Sequence, residues 1–133
     1  MLLDLSFALA AVLGMQAADA APAPSSEQPA IASLSDLPIE EATGPRCGIA
    51  FSIVREWQSS SDPRGAKWPV MDETGAREFF VQAMAKLIDQ YGLERSEVSN
   101  LARLEAQAHA KDKGAAVEAM MPACLLALQA SGL

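Results

Sequence analysis

One imidazole and two nearby carboxylates are the side chains best suited to chemistry in this sequence. His109 is the single histidine of the chain, and Glu105 and Asp112 lie close to it. On a helix, the i, i+4 spacing of Glu105 and His109 allows an ion pair beside the apolar face of the helix predicted at 95–113. Because imidazole and carboxylate groups also bind divalent metals, the three residues form a candidate acid-rich half-site for a metal. The alternative interpretation places the polar pair Glu105 and His109 at a wet helix edge without a function.

The second chemical feature is a pair of cysteines, Cys47 and Cys124, which are the only two in the chain. In an exported protein an even number of cysteines indicates a disulfide, so we expect these two to be joined. An oxidised pair offers no thiolate nucleophile, and one histidine cannot form a common Cys/His zinc site alone. The sequence also lacks a phosphate-binding glycine loop, a G-x-S-x-G motif and an H-E-x-x-H motif. We therefore expect neither a catalytic site nor a cofactor.

Residues 1–20 have the pattern of an export signal. An apolar run at 5–15 is followed by Ala18-Asp19-Ala20, which fits the small-x-small rule for signal peptidase. The run is shorter than the roughly 20 apolar residues that a spanning helix needs. The sequence thus predicts a signal peptide at 1–20, a periplasmic or secreted location, and no membrane span after processing.

The rest of the chain divides into a linker and a helical domain. Residues 21–44 are rich in proline, alanine and serine without a hydrophobic period, which predicts a flexible, disordered linker. From 45 to 133, apolar residues recur at spacings of three and four, which predicts four helices and no strand. The predicted helices cover 46–58, 76–91, 95–113 and a segment from 115 onward, where Pro122 either kinks the helix or makes it end and restart.

These elements define an all-α fold class. It is a small four-helix bundle, or three long helices plus one kinked helix, tied by one disulfide and preceded by a signal peptide and a flexible linker. The segment 59–75 has no period and is long for a connection in a compact domain. Within this segment, Trp68 either folds over the core as a lid, or Trp68 and Pro69 form a binding loop for a partner.

Charge limits the class of partner. The chain has 17 acidic and 10 basic residues, a formal net charge of −7, and no basic cluster. Nucleic acids and anionic lipids require clustered lysine and arginine, so we expect neither. The remaining partners are an unidentified protein or a small apolar ligand held between the helices.

In size, export signal and one disulfide between distant helices, the chain resembles the small periplasmic acid-stress chaperones and some helical periplasmic immunity proteins. The likeness concerns the architecture of residues 45–133 and carries no motif, so it implies no functional residues. We expect a non-catalytic binding or interaction module of the periplasm. The alternatives are a periplasmic acid-stress chaperone that exposes its apolar helix face at low pH, and a small metal-binding protein or enzyme that uses Glu105, His109 and Asp112.

Overall fold

The structure is a computed structural model that describes residues 30–133. The predicted signal peptide and the first part of the predicted linker, residues 21–29, lie outside the described residues. Residues 30–133 form helices and turns without a strand, which confirms the predicted all-α bundle. The four helices are α1 (Ile39–Ser59), α2 (Ala76–Tyr91), α3 (Arg95–Lys111) and α4 (Ala115–Ala130). Three single turns of 3-10 helix accompany them, at Leu34–Asp36, Pro63–Gly65 and Met71–Glu73.

Helix α1 is the centre of the bundle and contacts each of the other three helices. Five consecutive residues of α1, at 47–51, are buried, so this part of the helix is enclosed on all sides. Gly48 lies at the crossing with α2, where an added Cβ atom would stand 3.0 Å from the Cα atom of Phe80. The lack of a side chain at Gly48 therefore permits the close approach of α1 and α2.

The core consists of two apolar clusters that share α1, and Ile53 packs against both. The first lies between α1, α4 and the Met71 turn, and its larger members are Phe51, Val54, Trp57, Met71, Val117, Met121 and Leu128. The second lies between α1, α2, α3 and the turn before α1, and its larger members are Leu34, Leu37, Ile49, Met84, Leu87, Val98 and Leu101. Burial of these apolar side chains is the main force that holds the bundle together.

The predicted boundary between linker and domain differs from the structure. Helix α1 begins at Ile39, and Leu34 before it is only 1% exposed. Gly44 and Pro45 indicated a helix start in the sequence, but both lie inside α1. The helix extends toward its N-terminus because Ala42 continues the buried face that includes Ile49 two turns later. Residues 30–44 thus belong to the folded domain.

Pro122 does not end the last helix. Helix α4 runs from Ala115 to Ala130 without interruption, so the predicted restart does not occur. Pro122 itself is exposed, whereas its neighbours Met121 and Cys124 are buried. The missing N–H of Pro122 leaves the carbonyl of Glu118 without its helical donor. Because Pro122 lies on the exposed side of α4, its ring does not take the place of the buried side chains Met121 and Cys124.

Candidate functional site

The predicted disulfide between Cys47 and Cys124 is confirmed. The two Cα atoms are 5.2 Å apart, the two sulfur atoms are 2.11 Å apart, and both residues are buried. The bond joins α1 to α4 inside the first apolar cluster. Because neither cysteine is free, the chain offers no thiolate while the bond is intact.

His109 lies inside the helix packing and not at a wet helix edge. It is only 7% exposed and shares the buried face of α3 with Val98 and Leu101. One turn earlier, Glu105 places its Oε1 atom 3.3 Å from Nε2 of His109 and 3.4 Å from Nε of Arg46 on α1. The structure thus brings the predicted pair together and adds Arg46, which compensates a carboxylate that is largely removed from water.

The Nε2 atom of His109 is buried and has no hydrogen-bond partner within residues 30–133. Its distance of 3.3 Å to Glu105 Oε1 is short enough for electrostatic attraction, but the direction of a ring N–H rules out a hydrogen bond. Buried polar atoms are nearly always satisfied in native proteins, so this imidazole is a candidate contact for a ligand.

Asp112 does not join Glu105 and His109. Its carboxylate accepts hydrogen bonds from the backbone N–H groups of Gly114, at 2.9 Å, and Ala116, at 3.1 Å. Asp112 therefore caps the start of α4. No three His, Cys, Asp or Glu residues of the described chain are grouped so as to hold a metal ion. The predicted metal half-site is thus not assembled in this structure.

His109 lines a surface pocket of about 380 Å³, hereafter the His109 pocket. Its eight lining residues are Ile53, Trp57, Arg64, Ala106, His109, Ala110, Lys113 and Gly114. The residues come from α1, α3, the Pro63–Gly65 turn and the connection between α3 and α4. Gly114 has a left-handed backbone with φ of 79°, and a side chain at this position would collide with the Trp57 ring. A glycine is therefore required for this wall of the pocket.

Arg64 holds two walls of the pocket together, and sequence reasoning missed it. Its guanidinium carbon lies 4.4 Å from the centre of the Trp57 ring, and Nη1 donates a hydrogen bond to the carbonyl of Lys113 at 2.7 Å. Its other nitrogens bind the carboxylate of Asp62, with Nη2 to Oδ2 at 2.6 Å. Hydrogen bonds from the side chain and then the backbone of Arg64 lower the pKa of Asp62 from 3.8 to about 2. The Asp62-Pro63 dipeptide signals a turn, but no local pattern connects Arg64 with Lys113.

The segment 59–75 is organised around the side chain of Gln58. The amide nitrogen of Gln58 donates to the carbonyls of Gly65, at 3.1 Å, and Pro69, at 2.8 Å. The amide oxygen accepts from the backbone N–H of Met71 at 3.0 Å. A segment that lacks hydrophobic periodicity is therefore held in place by one amide at the end of α1.

Trp68 and Pro69, the predicted binding loop, do not line the His109 pocket. Trp68 is partly buried against the first apolar cluster, and Pro69 is exposed. Lys67 lies over the Trp68 ring, 5.8 Å from its centre, and forms an ion pair with Glu118 of α4. The partial burial of Trp68 is closer to the predicted lid over the core than to an exposed binding loop. A role of Trp68 and Pro69 in binding stays a prediction.

The chemistry of the His109 pocket follows from its lining. None of the eight lining residues is Ser, Thr, Cys, Asp or Glu, so the walls offer no hydroxyl, thiol or carboxylate group. They offer an aromatic ring, aliphatic surface, an imidazole and two cationic side chains, which suit binding. Among residues 30–133, the helices are too short or too polar to cross a membrane. Comparison with known proteins finds no family model that matches the chain and no significant similarity to a curated protein or a solved structure.

Proposed function

We propose that the protein is an exported, disulfide-tied binding domain that takes a small ligand in the His109 pocket and carries out no catalysis. The observation that carries this proposal is the imidazole of His109, which is buried, lines a pocket and has no hydrogen-bond partner at Nε2 among residues 30–133. Leaving a buried polar group unsatisfied costs about 1 to 3 kcal/mol. A ligand that satisfies the imidazole recovers part of this free energy on binding.

The size and lining of the pocket support the same proposal. Its volume of about 380 Å³ lies within the range of roughly 300 to 1,000 Å³ that small-molecule sites occupy. Ile53, Trp57 and the two alanines supply apolar walls, and Arg64 fixes the Trp57 ring by stacking on it. A largely preformed pocket loses little conformational entropy when it binds. The proposed ligand is therefore a small molecule with an aromatic or aliphatic body.

Export is supported by two independent features. The sequence predicts a signal peptide at 1–20, and the bond between Cys47 and Cys124 suits an oxidising compartment. N-terminal sequencing of the native protein is expected to begin at Ala21, and alkylation before reduction is expected to label neither cysteine. An intact leader together with two alkylated cysteines would place the protein in a reducing compartment.

NMR titration with small aromatic fragments tests the proposed binding. The probes are 3-phenylpropionate, 3-phenylpropionamide and phenethylamine, which share a phenyl body and differ in the polar group. His109 is the only histidine, so its imidazole signals need no assignment. At least one probe is expected to shift the His109 ring signals and the Trp57 indole signal. The Trp68 indole serves as an internal control, because Trp68 does not line the pocket.

Two alanine substitutions on α3 provide the matched variants. Ala110 is exposed and lines the pocket, so Ala110→Phe fills the space and is expected to abolish the shifts. Ala108 is exposed on the same helix and does not line the pocket, so Ala108→Phe is expected to leave them unchanged. If no probe shifts the His109 and Trp57 signals, or if both variants behave alike, the proposed binding site is wrong.

A further inference from the structure

We propose that the ligand of the His109 pocket is an anion, a small carboxylate with an apolar body, and that Lys113 is the residue that selects it. This inference rests on the proposed function, because it names the ligand class of the same pocket. It follows from the charges that line the pocket, the ion pairing of those charges, and the backbone conformation of Lys113.

The charges in the lining all favour an anion. The charged lining residues are Arg64 and Lys113, and no carboxylate of residues 30–133 lines the pocket, although the full sequence has a formal net charge of −7. The carboxylates near the pocket already have partners. Glu105 lies between Arg46 and His109, and Asp112 accepts from the backbone at the start of α4. The pocket is thus a locally cationic surface on an acidic protein, which favours a negatively charged ligand.

Lys113 is the lining cation that is available to a ligand. The guanidinium of Arg64 is already occupied by Asp62 and by the carbonyl of Lys113. Lys113, by contrast, is exposed and forms no ion pair with any carboxylate of residues 30–133. An ammonium group forms a charge-assisted hydrogen bond with a carboxylate, which is stronger than a bond to a neutral acceptor.

The backbone of Lys113 gives a further reason to assign it a role. Its φ of 58° lies in the left-handed region, where glycine and asparagine are favoured and a lysine is strained. The bond from Arg64 Nη1 to the Lys113 carbonyl holds this conformation in place. The chain thus keeps a lysine at a position where glycine or asparagine would fit with less strain.

The buried imidazole forms a polar part of the pocket wall. His109 is 93% removed from solvent, since 7% of it is exposed, and its ring forms part of the pocket wall. The Lys113 ammonium attracts the carboxylate of the ligand electrostatically. The apolar body of the ligand then packs against Trp57 and Ile53, which fixes its orientation.

Isothermal titration calorimetry with the matched phenyl probes tests the inference. 3-Phenylpropionate is expected to bind about tenfold more tightly than 3-phenylpropionamide, a difference of about 1.4 kcal/mol. Phenethylamine is expected to bind more weakly than both. The preference for the carboxylate is expected to shrink as salt is raised, because exposed charges are screened.

Lys113→Asn is the decisive variant, because asparagine tolerates the left-handed backbone and lacks the ammonium. It is expected to lose most of the preference for 3-phenylpropionate over the amide, while its melting temperature stays equal or rises. Lys111→Asn is the control, since Lys111 is exposed on α3 and does not line the pocket. It is expected to keep the preference.

The outcomes separate this inference from the proposed function. If the amide binds as tightly as the carboxylate, or if Lys111→Asn and Lys113→Asn lose the preference equally, the anion assignment is overturned and the binding pocket stands. If none of the three probes binds, the proposed function itself fails. Should Lys113→Asn fail to fold, a preference of the unmodified protein that does not respond to salt contradicts the electrostatic assignment.

Discussion

At the scale of single residues, polar groups near the pocket are paired across elements. Arg46, Glu105 and His109 form a row from α1 to α3 with separations of 3.4 and 3.3 Å. A carboxylate in this position requires compensation, because its desolvation opposes the charged form. Arg46 supplies that compensation and holds Glu105 in place. His109 is then the polar residue of the row that lines the pocket.

Asp62 gives a prediction at this scale. Hydrogen bonds from Arg64 lower its pKa from 3.8 to about 2, so the folded protein binds the Asp62 proton more weakly than the unfolded chain does. The ionised carboxylate therefore stabilises the fold above about pH 4, and this contribution is lost as the pH falls toward about 2. Asp62→Asn is expected to be less stable at neutral pH and to lose less stability between these two pH values.

Urea denaturation followed by circular dichroism at several pH values measures this effect. Asp89→Asn is the control, because Asp89 is exposed and forms no ion pair within residues 30–133. It is expected to follow the unmodified protein throughout the acid range. Equal acid sensitivity of Asp62→Asn and the unmodified protein would show that the Arg64 contact does not stabilise the fold.

At the scale of elements, the segment between α1 and α2 depends on a few polar bonds. Gln58→Ala removes the donor to Gly65 and Pro69 and the acceptor for the Met71 N–H. Because the bonds to Gly65 and Met71 are part-buried, we expect a loss of about 1 to 3 kcal/mol in the free energy of unfolding. Hydrogen exchange of the Met71 amide is expected to accelerate strongly, since its acceptor is lost.

Gln107→Ala is the matched control for this substitution. Gln107 is exposed on α3, and its replacement is expected to change the stability by no more than about 0.5 kcal/mol. Protection of the Met71 amide in Gln58→Ala that equals that of the unmodified protein would show that the segment is held mainly by Trp68 and Met71 in the apolar cluster.

The elements differ in how well the sequence predicts them. Helix α2 follows from local pattern, because its buried positions recur with the helical period and Gly92 ends it with φ of 61°. The start of α1 does not, because Gly44 and Pro45 signal a helix start and only tertiary burial of Leu34 and Ala42 overrides that signal. A strong local pattern therefore predicts a helix boundary well. Where tertiary packing and a local signal disagree, the packing determines the boundary.

The same distinction explains the site. The pairing of Glu105 with His109 follows from their spacing, but the burial of His109 depends on how far α3 rotates around its axis when it packs on α1. The pocket walls come from Trp57, Arg64 and Lys113, which are distant in sequence and are brought together by turns without a hydrophobic period. A sequence pattern does not show that such distant residues lie together, so the pocket could not be predicted from the sequence.

At the scale of the whole molecule, α1 and the disulfide hold the bundle together. Both apolar clusters include residues of α1, and the bond from Cys47 to Cys124 fixes α4 to one of them. The walls of the His109 pocket include residues of α1 and Gly114 at the start of α4. The geometry of the pocket is therefore linked to the packing of α4, and loss of the disulfide is expected to affect both stability and binding.

The disulfide prediction is quantitative. The two cysteines are 77 residues apart, and a cross-link over a loop of this length restricts the unfolded chain by about 4 to 5 kcal/mol. Native domains have total stabilities of about 5 to 15 kcal/mol, so the reduced protein is expected to unfold at a much lower urea concentration. The double variant Cys47→Ala and Cys124→Ala is expected to have nearly the same stability as the reduced protein. Comparing the two stabilities separates the effect of the lost cross-link from the effect of the lost packing of the two sulfur atoms. If reduction lowers the stability by less than about 1 kcal/mol, the cross-link contributes little to the free energy of unfolding. Residual structure in the unfolded state then offsets its chain-entropy contribution, and the apolar clusters hold the bundle together.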